Sequence, residues 1–174
     1  MTKFGMFFDG SIHSTGVSYL KHEWDKEADV IATKTIKVDP KITGEKACIQ
    51  MLYQVFNMLK DFQMRIDVIG CEIQKPHGEA EVMSMQGFSH LNSIPIAILG
   101  YAAFCGKETY YYSPQTWKGT VDKKVMTKRL YEKEIELGTD RKLFSLKEHD
   151  VLDAIGLGRY HFEQMEYLKR TGRI

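Results

Sequence analysis

The sequence predicts an α/β protein built on a five-stranded mixed sheet flanked by helices. Three short segments rich in apolar, aromatic and β-branched residues follow one another near the start of the chain and are separated by turns. Two further short apolar segments come later, and each follows a longer segment with helical periodicity. Consecutive strands favour an antiparallel meander, whereas a strand reached through a helical crossover lies parallel to its partner. We therefore expect three antiparallel strands followed by parallel ones.

The composition is that of an ordinary globular protein. The chain has 174 residues, of which 43% are hydrophobic, and a formal net charge of +1. This length suits one compact core, so we expect residues 1–174 to form a single domain. No apolar run approaches the roughly 18 residues of a membrane helix, and the first residues lack the apolar core of a signal peptide. We therefore expect a cytoplasmic protein without a membrane partner.

The cysteines give no sign of a disulfide framework or a zinc site. Cys48, Cys71 and Cys105 are odd in number and widely spaced, and each lies among apolar neighbours. Free cysteine behaves as a small apolar residue, so we expect three buried thiols.

The first strand is predicted over residues 4–8 and leads directly to Asp9. The segment is almost entirely apolar and aromatic, which is typical of a strand buried on both faces, and Asp9-Gly10-Ser11 closes it with a turn. A carboxylate at the edge of a core is unfavourable unless a cation, hydrogen bonds or a proton neutralises it. Asp9 is therefore either a turn residue that binds the backbone of Gly10 and Ser11 or a functional acid.

The next two strands complete the meander, and a helix follows them. Residues 16–20 and 30–38 contain the β-branched and small residues of strands, and Asp39-Pro40 ends this part of the sheet. Residues 44–62 repeat apolar side chains at helical spacing, which predicts an amphipathic helix packed on the sheet.

A fourth strand is predicted over residues 66–71, immediately before Glu72. The helix that precedes it is the crossover that makes this strand parallel to the first, with the usual right-handed connection. Both strands then end at the same edge of the sheet. Asp9 and Glu72 are therefore expected on the same side of the molecule.

The middle of the chain alternates helix, strand and helix. Residues 79–106 have helical periodicity that Pro95 interrupts, which predicts a long helix with a kink or a restart. Residues 110–112 form a fifth strand, and residues 122–137 form a basic amphipathic helix. The inward-facing residues of that basic helix are predicted to be Val125, Met126, Leu130 and Ile135.

The last helix is predicted from about Ser145 to about residue 168, with Glu148 placed three residues after Ser145 in a capping box. Asp150 and Asp153 are three residues apart, so they share one face of this helix among apolar neighbours. Such a pair is either a solvated helix face or two carboxylates that converge on a ligand.

Four acids therefore stand at comparable places in the predicted fold. One follows the first strand, one follows the fourth, and two lie on the last helix. Oxygen ligands of this kind suit hard divalent cations such as Mg²⁺ or Mn²⁺. Four converging carboxylates could hold two ions roughly 3.5–4 Å apart, the arrangement that activates a water and stabilises the leaving oxygen of a phosphodiester. The four acids are Asp9, Glu72, Asp150 and Asp153.

The order and spacing of these acids resemble those of the RuvC family of Holliday-junction resolvases, within the ribonuclease H-like (retroviral integrase) superfamily. The matching segments are FFDGSIHSTG, VIGCEIQ, YYYSPQTWKGTV followed by KK, and HDVLDAIGLG, and together they span nearly the whole chain. The resemblance implies a ribonuclease H-like fold and catalytic, metal-binding carboxylates at Asp9, Glu72, Asp150 and Asp153. It also implies a homodimeric, Mg²⁺-dependent endodeoxyribonuclease, able to use Mn²⁺, that nicks four-way junctions by two-metal hydrolysis during DNA recombination and repair.

The chain departs from the family pattern in two places. Its first motif reads Asp-Gly-Ser where the cellular enzymes usually have Asp-Pro-Gly, and the loop after Glu72 lacks the aromatic residue that wedges the junction. These departures favour a divergent, phage-type member that acts in the cytoplasm of a bacterium or a phage-infected host. They leave two alternatives open: a nuclease of the same fold for RNA–DNA hybrids or flaps, or a catalytically inactive module that binds branched DNA.

Several residues near the acids have both a functional and a structural interpretation. The lysines predicted to contact DNA phosphates are Lys75, Lys118, Lys123 and Lys124, and the alternative for each is a solvated polar surface. His149 either assists the acids or lies on the surface. The aromatics that either stack on bases or pack in the core are Tyr110, Tyr111, Tyr112 and Trp117. The resemblance places the dimer interface on the helix that carries Met83, Met85, Phe88 and Leu91, where core packing is the alternative.

Overall fold

The computed structural model describes residues 1–62, 65–74 and 85–174, and the side chains of all of these except residues 85–91. Its centre is a five-stranded sheet. Three antiparallel neighbours, β1 (Thr2–Gly10), β2 (Ser14–Glu23) and β3 (Asp29–Lys37), come first. Two more strands, β4 (Val68–Glu72) and β5 (Glu108–Tyr112), extend the sheet on the other side of β1 in parallel. The order is β3-β2-β1-β4-β5, which confirms the predicted mixed sheet.

Five helices accompany the sheet in the described part of the chain: α1 (Gly44–Asp61), α2 (Met85–Phe104), the short α3 (Pro114–Trp117), α4 (Lys123–Glu136) and α5 (His149–Arg170). Alternation along β1 divides the core between the two faces of the sheet. Met6 and Phe8 pack with the apolar residues of α1 and α2. Phe7 points to the opposite face, where it packs with Leu157 and Phe162 of α5. The sheet is therefore covered on both sides.

The burial of β1 confirms the double-faced core strand predicted from its apolar sequence. Met6, Phe7 and Phe8 are each no more than 1% exposed. The ring of Phe7 lies in a cradle of three glycines, because a Cβ at Gly5, Gly70 or Gly158 would come within 2.5–2.6 Å of it. These glycines belong to β1, β4 and α5, so one aromatic ring fixes the spacing of three elements.

A fourth glycine brings α5 against the sheet at the functional edge. Gly16 of β2 lies opposite Asp9 of β1 in the antiparallel register. A Cβ at Gly16 would overlap the backbone of Asp150. Ser18, further along β2, donates a hydrogen bond of 2.8 Å from its Oγ to the carbonyl of Ala154. The first turn of α5 therefore rests directly on β2.

Several boundaries differ from the prediction. β1 continues through Asp9 to Gly10, because these residues pair with Gly16 and Thr15 of β2 instead of forming a turn. Glu72 is the last residue of β4. Pro95 lies inside an unbroken α2; Ile94 and Ile98 on either side are fully buried, and their packing keeps the helix continuous despite the missing N–H. The predicted start of that helix at residue 79 lies outside the described residues.

The last helix begins four residues later than predicted, and the capping box does not form. Ser145 donates a side-chain hydrogen bond of 3.1 Å to Glu148, and the N–H of Glu148 binds the carbonyl of Ser145. These contacts close a turn, so α5 starts only at His149. Val125 of α4 is 45% exposed, contrary to its predicted inward position, whereas Leu130 and Ile135 pack inward as expected.

Two of the three cysteines are buried thiols, as predicted. Cys48 and Cys71 are buried, and burial raises the pKa of the Cys71 thiol far above its ordinary value. Cys105 is exposed near the end of α2, so the prediction is wrong for this residue. Among the described residues, no helix combines the length and the apolar character needed to cross a bilayer.

Candidate active site

The four acids singled out from the sequence line one cavity of about 420 Å³ at the edge of the sheet where β1 and β4 end. We call it the acidic cavity. Asp9 and Glu72 reach it from adjacent parallel strands, and Asp150 and Asp153 reach it from the start of α5. The side chains that share its lining with the four acids include Ser14, Gln74, Lys118 and Lys123.

The carboxyl group of Asp9 is buried beside the other three acids. Its strand neighbours place it between Gly16 of β2 and the end of β4. Burial raises the pKa of its carboxyl well above the ordinary value, and the charges of Glu72, Asp153 and Asp150 raise it further, against the opposing effect of Lys118. No residue that the structure describes donates a hydrogen bond to it. A cation or a proton in the cavity would therefore stabilise Asp9.

Glu72 is held in place by three donors. It is 5% exposed at the end of β4. Its Oε1 accepts a hydrogen bond of 3.0 Å from Nε2 of Gln74, and its Oε2 accepts one of 2.9 Å from Nε1 of Trp117. The ammonium of Lys118 lies 3.0 Å from the same Oε2. A buried carboxylate with this many donors is fixed in direction.

The two aspartates of α5 are held differently. Asp153 is 1% exposed, and its Oδ2 lies 2.7 Å from Nζ of Lys118. Asp150, in the first turn of the helix, accepts a hydrogen bond from the hydroxyl of Ser14 in β2. Their spacing of three residues brings both carboxylates to the cavity, as the helical geometry predicts.

Lys118 is the central cation of the site. It follows α3 directly and bridges Glu72 and Asp153. Burial by itself lowers the pKa of its ammonium, but the charges of Asp9, Glu72 and Asp153 and the hydrogen bond to Asp153 outweigh this effect, so the pKa lies above its ordinary value. The ammonium is therefore charged at neutral pH.

The donor chemistry of the acidic cavity suits a hard divalent cation. Four carboxylates supply oxygen ligands only, the set that Mg²⁺ and Mn²⁺ prefer. Within the ranges that the structure describes, no three histidine, cysteine or acidic side chains form a group already arranged to hold a metal ion. The side chains of the acidic cavity that could supply such oxygen ligands are Asp9, Glu72, Asp150 and Asp153.

The other predicted site residues divide into three groups. Lys118 and Lys123 line the cavity, and Lys124 is exposed in the first turn of α4 beside it. His149 is exposed at the start of α5. Lys75 lies outside the described residues, as does Met83, and the side chains of Met85, Phe88 and Leu91 are likewise not described.

The aromatic residues mostly belong to the core. Tyr110, Tyr112 and Trp117 pack against the Phe7 side of the sheet, which confirms the structural interpretation for these three. Tyr111 is 65% exposed on β5. The hydrogen bonds of Trp117, Gln74 and Ser14 to the acids were not predicted. The only sequence signal for Gln74 and Ser14 is their position within the two motifs that carry Asp9 and Glu72.

Comparison with known proteins finds similarity in structure only. No protein-family model matches the chain, and no curated protein matches it. A structure of Thermus thermophilus RuvC in complex with a Holliday junction substrate is 18% identical, with a TM-score of 0.65 over 97% of this chain and 96% of that one. A second structure of Thermus thermophilus RuvC gives a TM-score of 0.62 at the same identity and coverage.

A yeast protein has a similar fold. The mitochondrial Holliday junction resolvase Ydc2 is 13% identical, with a TM-score of 0.56 over 97% of this chain and 83% of that one. The strand order and the flanking helices are those of the ribonuclease H-like fold in its RuvC form. The resemblance drawn from the four motifs is thereby confirmed at the level of the fold.

Proposed function

We propose that the chain is a single-domain, divalent-metal-dependent endodeoxyribonuclease that nicks Holliday junctions or other branched DNA. The observation that carries this proposal is the convergence of four acids, distant in sequence, in one cavity at the edge of the sheet. A RuvC whose structure matches nearly the whole chain was solved with a Holliday junction substrate, which supports this class of DNA. The catalytic acids are Asp9, Glu72, Asp150 and Asp153.

The acids would hold Mg²⁺, with Mn²⁺ as a substitute. When bound, such ions activate a water for attack on the phosphodiester and stabilise the leaving oxygen. Asp9, which no described residue neutralises by hydrogen bonding, and Glu72, which three donors fix, reach the cavity from the two central strands. Asp150 and Asp153 complete the ligand set from α5. The Ser14 hydroxyl orients Asp150.

Basic residues beside the acidic cavity would contact the phosphate backbone. Lys123 lines the cavity, and Lys124 is exposed next to it at the start of α4. Neutralisation of phosphates by lysine supplies most of the affinity of such proteins for DNA, and it orients the scissile bond without reading sequence. Lys118 and Lys75 complete the proposed set of phosphate contacts.

We place the homodimer interface on α2 and the adjacent α1. Ile96, Gly100 and Phe104 recur every four residues on α2 and form an exposed stripe, in which Ile96 is 58% and Phe104 89% exposed. On α1, Ile49 and Tyr53 are exposed to a similar degree. The two helices pack side by side through Phe56 and Tyr101, whose rings lie 5.0 Å apart. Exposed apolar side chains on two helices that pack together support a contact with another protein.

Cleavage of a synthetic four-way junction tests the proposal. Purified protein should nick the junction in Mg²⁺ or Mn²⁺. The cleavage rate of Asp9→Asn should fall by a factor of about 10³ or more, because one ligand charge is lost. The variant should still bind the junction, because the shape of the cavity is kept. Gel-shift and cleavage assays on the same samples separate binding from chemistry. A folded wild-type protein that is inert in both metals would overturn the proposal.

The choice of substrate distinguishes the related activities. Junction, flap and RNA–DNA hybrid substrates of matched sequence should be compared under the same conditions. A resolvase makes paired, symmetric nicks in the junction, whereas a hybrid or flap nuclease prefers the other two substrates. A module that only binds branched DNA would retain all its function in Asp9→Asn.

A further inference from the structure

We propose that Lys118 is an internal counter-cation of the acidic cavity, which holds Glu72 and Asp153 together and has to be displaced before a divalent cation can bridge them. The inference rests on the proposed function and concerns the loading of the same site. It assigns Lys118 a positioning role before metal binds, in addition to its proposed contact with a phosphate.

The first support is the geometry of the bridge. The ammonium nitrogen of Lys118 lies 3.0 Å from Oε2 of Glu72 and 2.7 Å from Oδ2 of Asp153. The lysine side chain is 14% exposed, and the two carboxylates are 4% and 2% exposed. Charge pairs buried to this degree are screened little by solvent, so the contact between these three groups is strong. One cation therefore pairs with two of the four proposed metal ligands and offsets half of their combined charge.

The second support is that the ammonium and a metal need the same space. A divalent cation that bridged the same two oxygens would lie about 2.0–2.6 Å from each. That position falls within the volume that the ammonium nitrogen fills. Two cations so close together would also repel strongly. Metal binding at this pair of ligands and the Lys118 bridge are therefore mutually exclusive.

The third support is that the surrounding residues hold Lys118 in this position. Its backbone N–H donates a hydrogen bond of 2.7 Å to the carbonyl of Pro114, which closes α3. Its ammonium lies 4.6 Å from the ring centroid of Trp117, and the indole N–H of Trp117 binds the same Oε2 of Glu72. The short α3 thus presents two consecutive side chains to one carboxylate.

The surroundings of Lys118 also allow its side chain to move away from Glu72 and Asp153. Lys118 lines the cavity together with Gly119, which has a φ of 66° and whose Cα borders open space. The stem of a lysine carries several rotatable bonds, so the ammonium can leave the carboxylates without a change in the strands or in α5. A released ammonium would remain at the cavity, where a phosphate can accept its hydrogen bonds.

Binding of Mn²⁺ by the purified protein without DNA tests the inference. Lys118→Met removes the charge and keeps most of the side-chain volume. It should lower the melting temperature in the absence of metal, because Glu72 and Asp153 then repel each other, and it should bind Mn²⁺ about tenfold more tightly than the wild type. Isothermal titration calorimetry gives the affinity, and the Mn²⁺-induced rise in melting temperature, larger in the variant, gives a second readout.

Lys123→Met is the matched control, because Lys123 lines the same cavity without an ion pair to any described acid. It should change the affinity for Mn²⁺ much less than Lys118→Met does. Equal effects of the two variants, or weaker binding by Lys118→Met, would overturn the inference, because the lysine would then act only through general charge or would support the metal.

Chemical labelling of the wild type keeps the test decisive if Lys118→Met does not fold. Acylation of lysines, read by mass spectrometry, should modify Lys118 slowly without metal and several-fold faster in saturating Mn²⁺, whereas Lys123 should change little. Unchanged protection of Lys118 while Mn²⁺ is bound would contradict displacement. These outcomes are independent of cleavage: a protein that binds Mn²⁺ as expected but cuts no junction would refute the proposed function alone.

Discussion

His161 is a buried imidazole that should make the stability of the protein depend on pH. It is 1% exposed, its Nδ1 lies 3.0 Å from the hydroxyl of Tyr112, and its ring packs 5.4 Å from that of Phe7. Burial, followed by the charges of Lys3 and His22, lowers its pKa to about 3. The imidazole is therefore neutral in the folded protein at any pH near neutrality.

This burial predicts a loss of stability in mild acid. The unfolded chain takes up a proton on His161 below about pH 6.5, whereas the folded protein does not until about pH 3, so stability is fully present above pH 6.5 and declines as the pH falls. Between pH 7 and pH 5 this group alone should cost about 2 kcal/mol. Urea unfolding at several pH values measures it. His161→Gln should reduce the decline by that amount, and an identical decline in both proteins would contradict the assignment.

Single residues also show why parts of the site were not predictable. Asp9, Glu72, Asp150 and Asp153 follow from the order of the motifs, because each is tied to a strand end or a helix face. The indole of Trp117 that binds Glu72 does not follow, since its direction depends on how the short α3 lies against β4. No periodicity in the sequence encodes that angle.

Among the elements, α5 depends most on close contact with the sheet. Gly16→Ala should destabilise the protein by about 1–3 kcal/mol, because the added methyl would overlap the backbone of Asp150. Neither β2 nor α5 can move apart easily to relieve this overlap. The shift of α5 should also move Asp150 from the acidic cavity and weaken the binding of Mn²⁺. Thermal unfolding and calorimetry measure both effects. Arg129→Ala, at an exposed position of α4 that pairs with no described acid, is the control and should be close to neutral. Equal stability of the two variants would contradict the contact.

The sequence predicted which segments form helices and strands better than it predicted the residues at which they begin and end. The apolar and helical periodicities indicated all five strands and four of the helices. They failed where tertiary contacts extend or shorten an element: pairing with β2 draws Asp9 into β1, and the turn closed by Ser145 and Glu148 delays α5 until His149. The short α3 has too few residues to show a period.

For the whole molecule, the exposed stripe on α2 predicts self-association. Phe104→Glu should convert a dimer into a monomer, because it replaces an apolar side chain of the proposed interface with a charged one. Phe104 is 89% exposed. Sedimentation velocity measures the state. Leu146→Glu, at a 47% exposed residue in the turn before α5, is the control and should leave the dimer intact. A wild type that is monomeric at micromolar concentration would refute the interface.

The convergence of the four acids could be predicted from the sequence because it depends on the topology of the whole fold. Adjacent parallel strands end at one edge, and a helix packed on the same sheet can reach that edge. The Lys118 bridge belongs to the same scale but was not predicted, since it requires the packing of α3, β4 and α5 together.

The glycine cradle around Phe7 has a consequence for how such sequences diverge. Three elements are spaced by one ring, so a change at any of the four positions disturbs all of them at once. A homologue with a smaller side chain at position 7 has room for a methyl group on one of the three partners, whereas a homologue that keeps phenylalanine has none. These four positions should therefore substitute in concert over evolutionary time, and paired replacements should rescue a fold that either single replacement breaks.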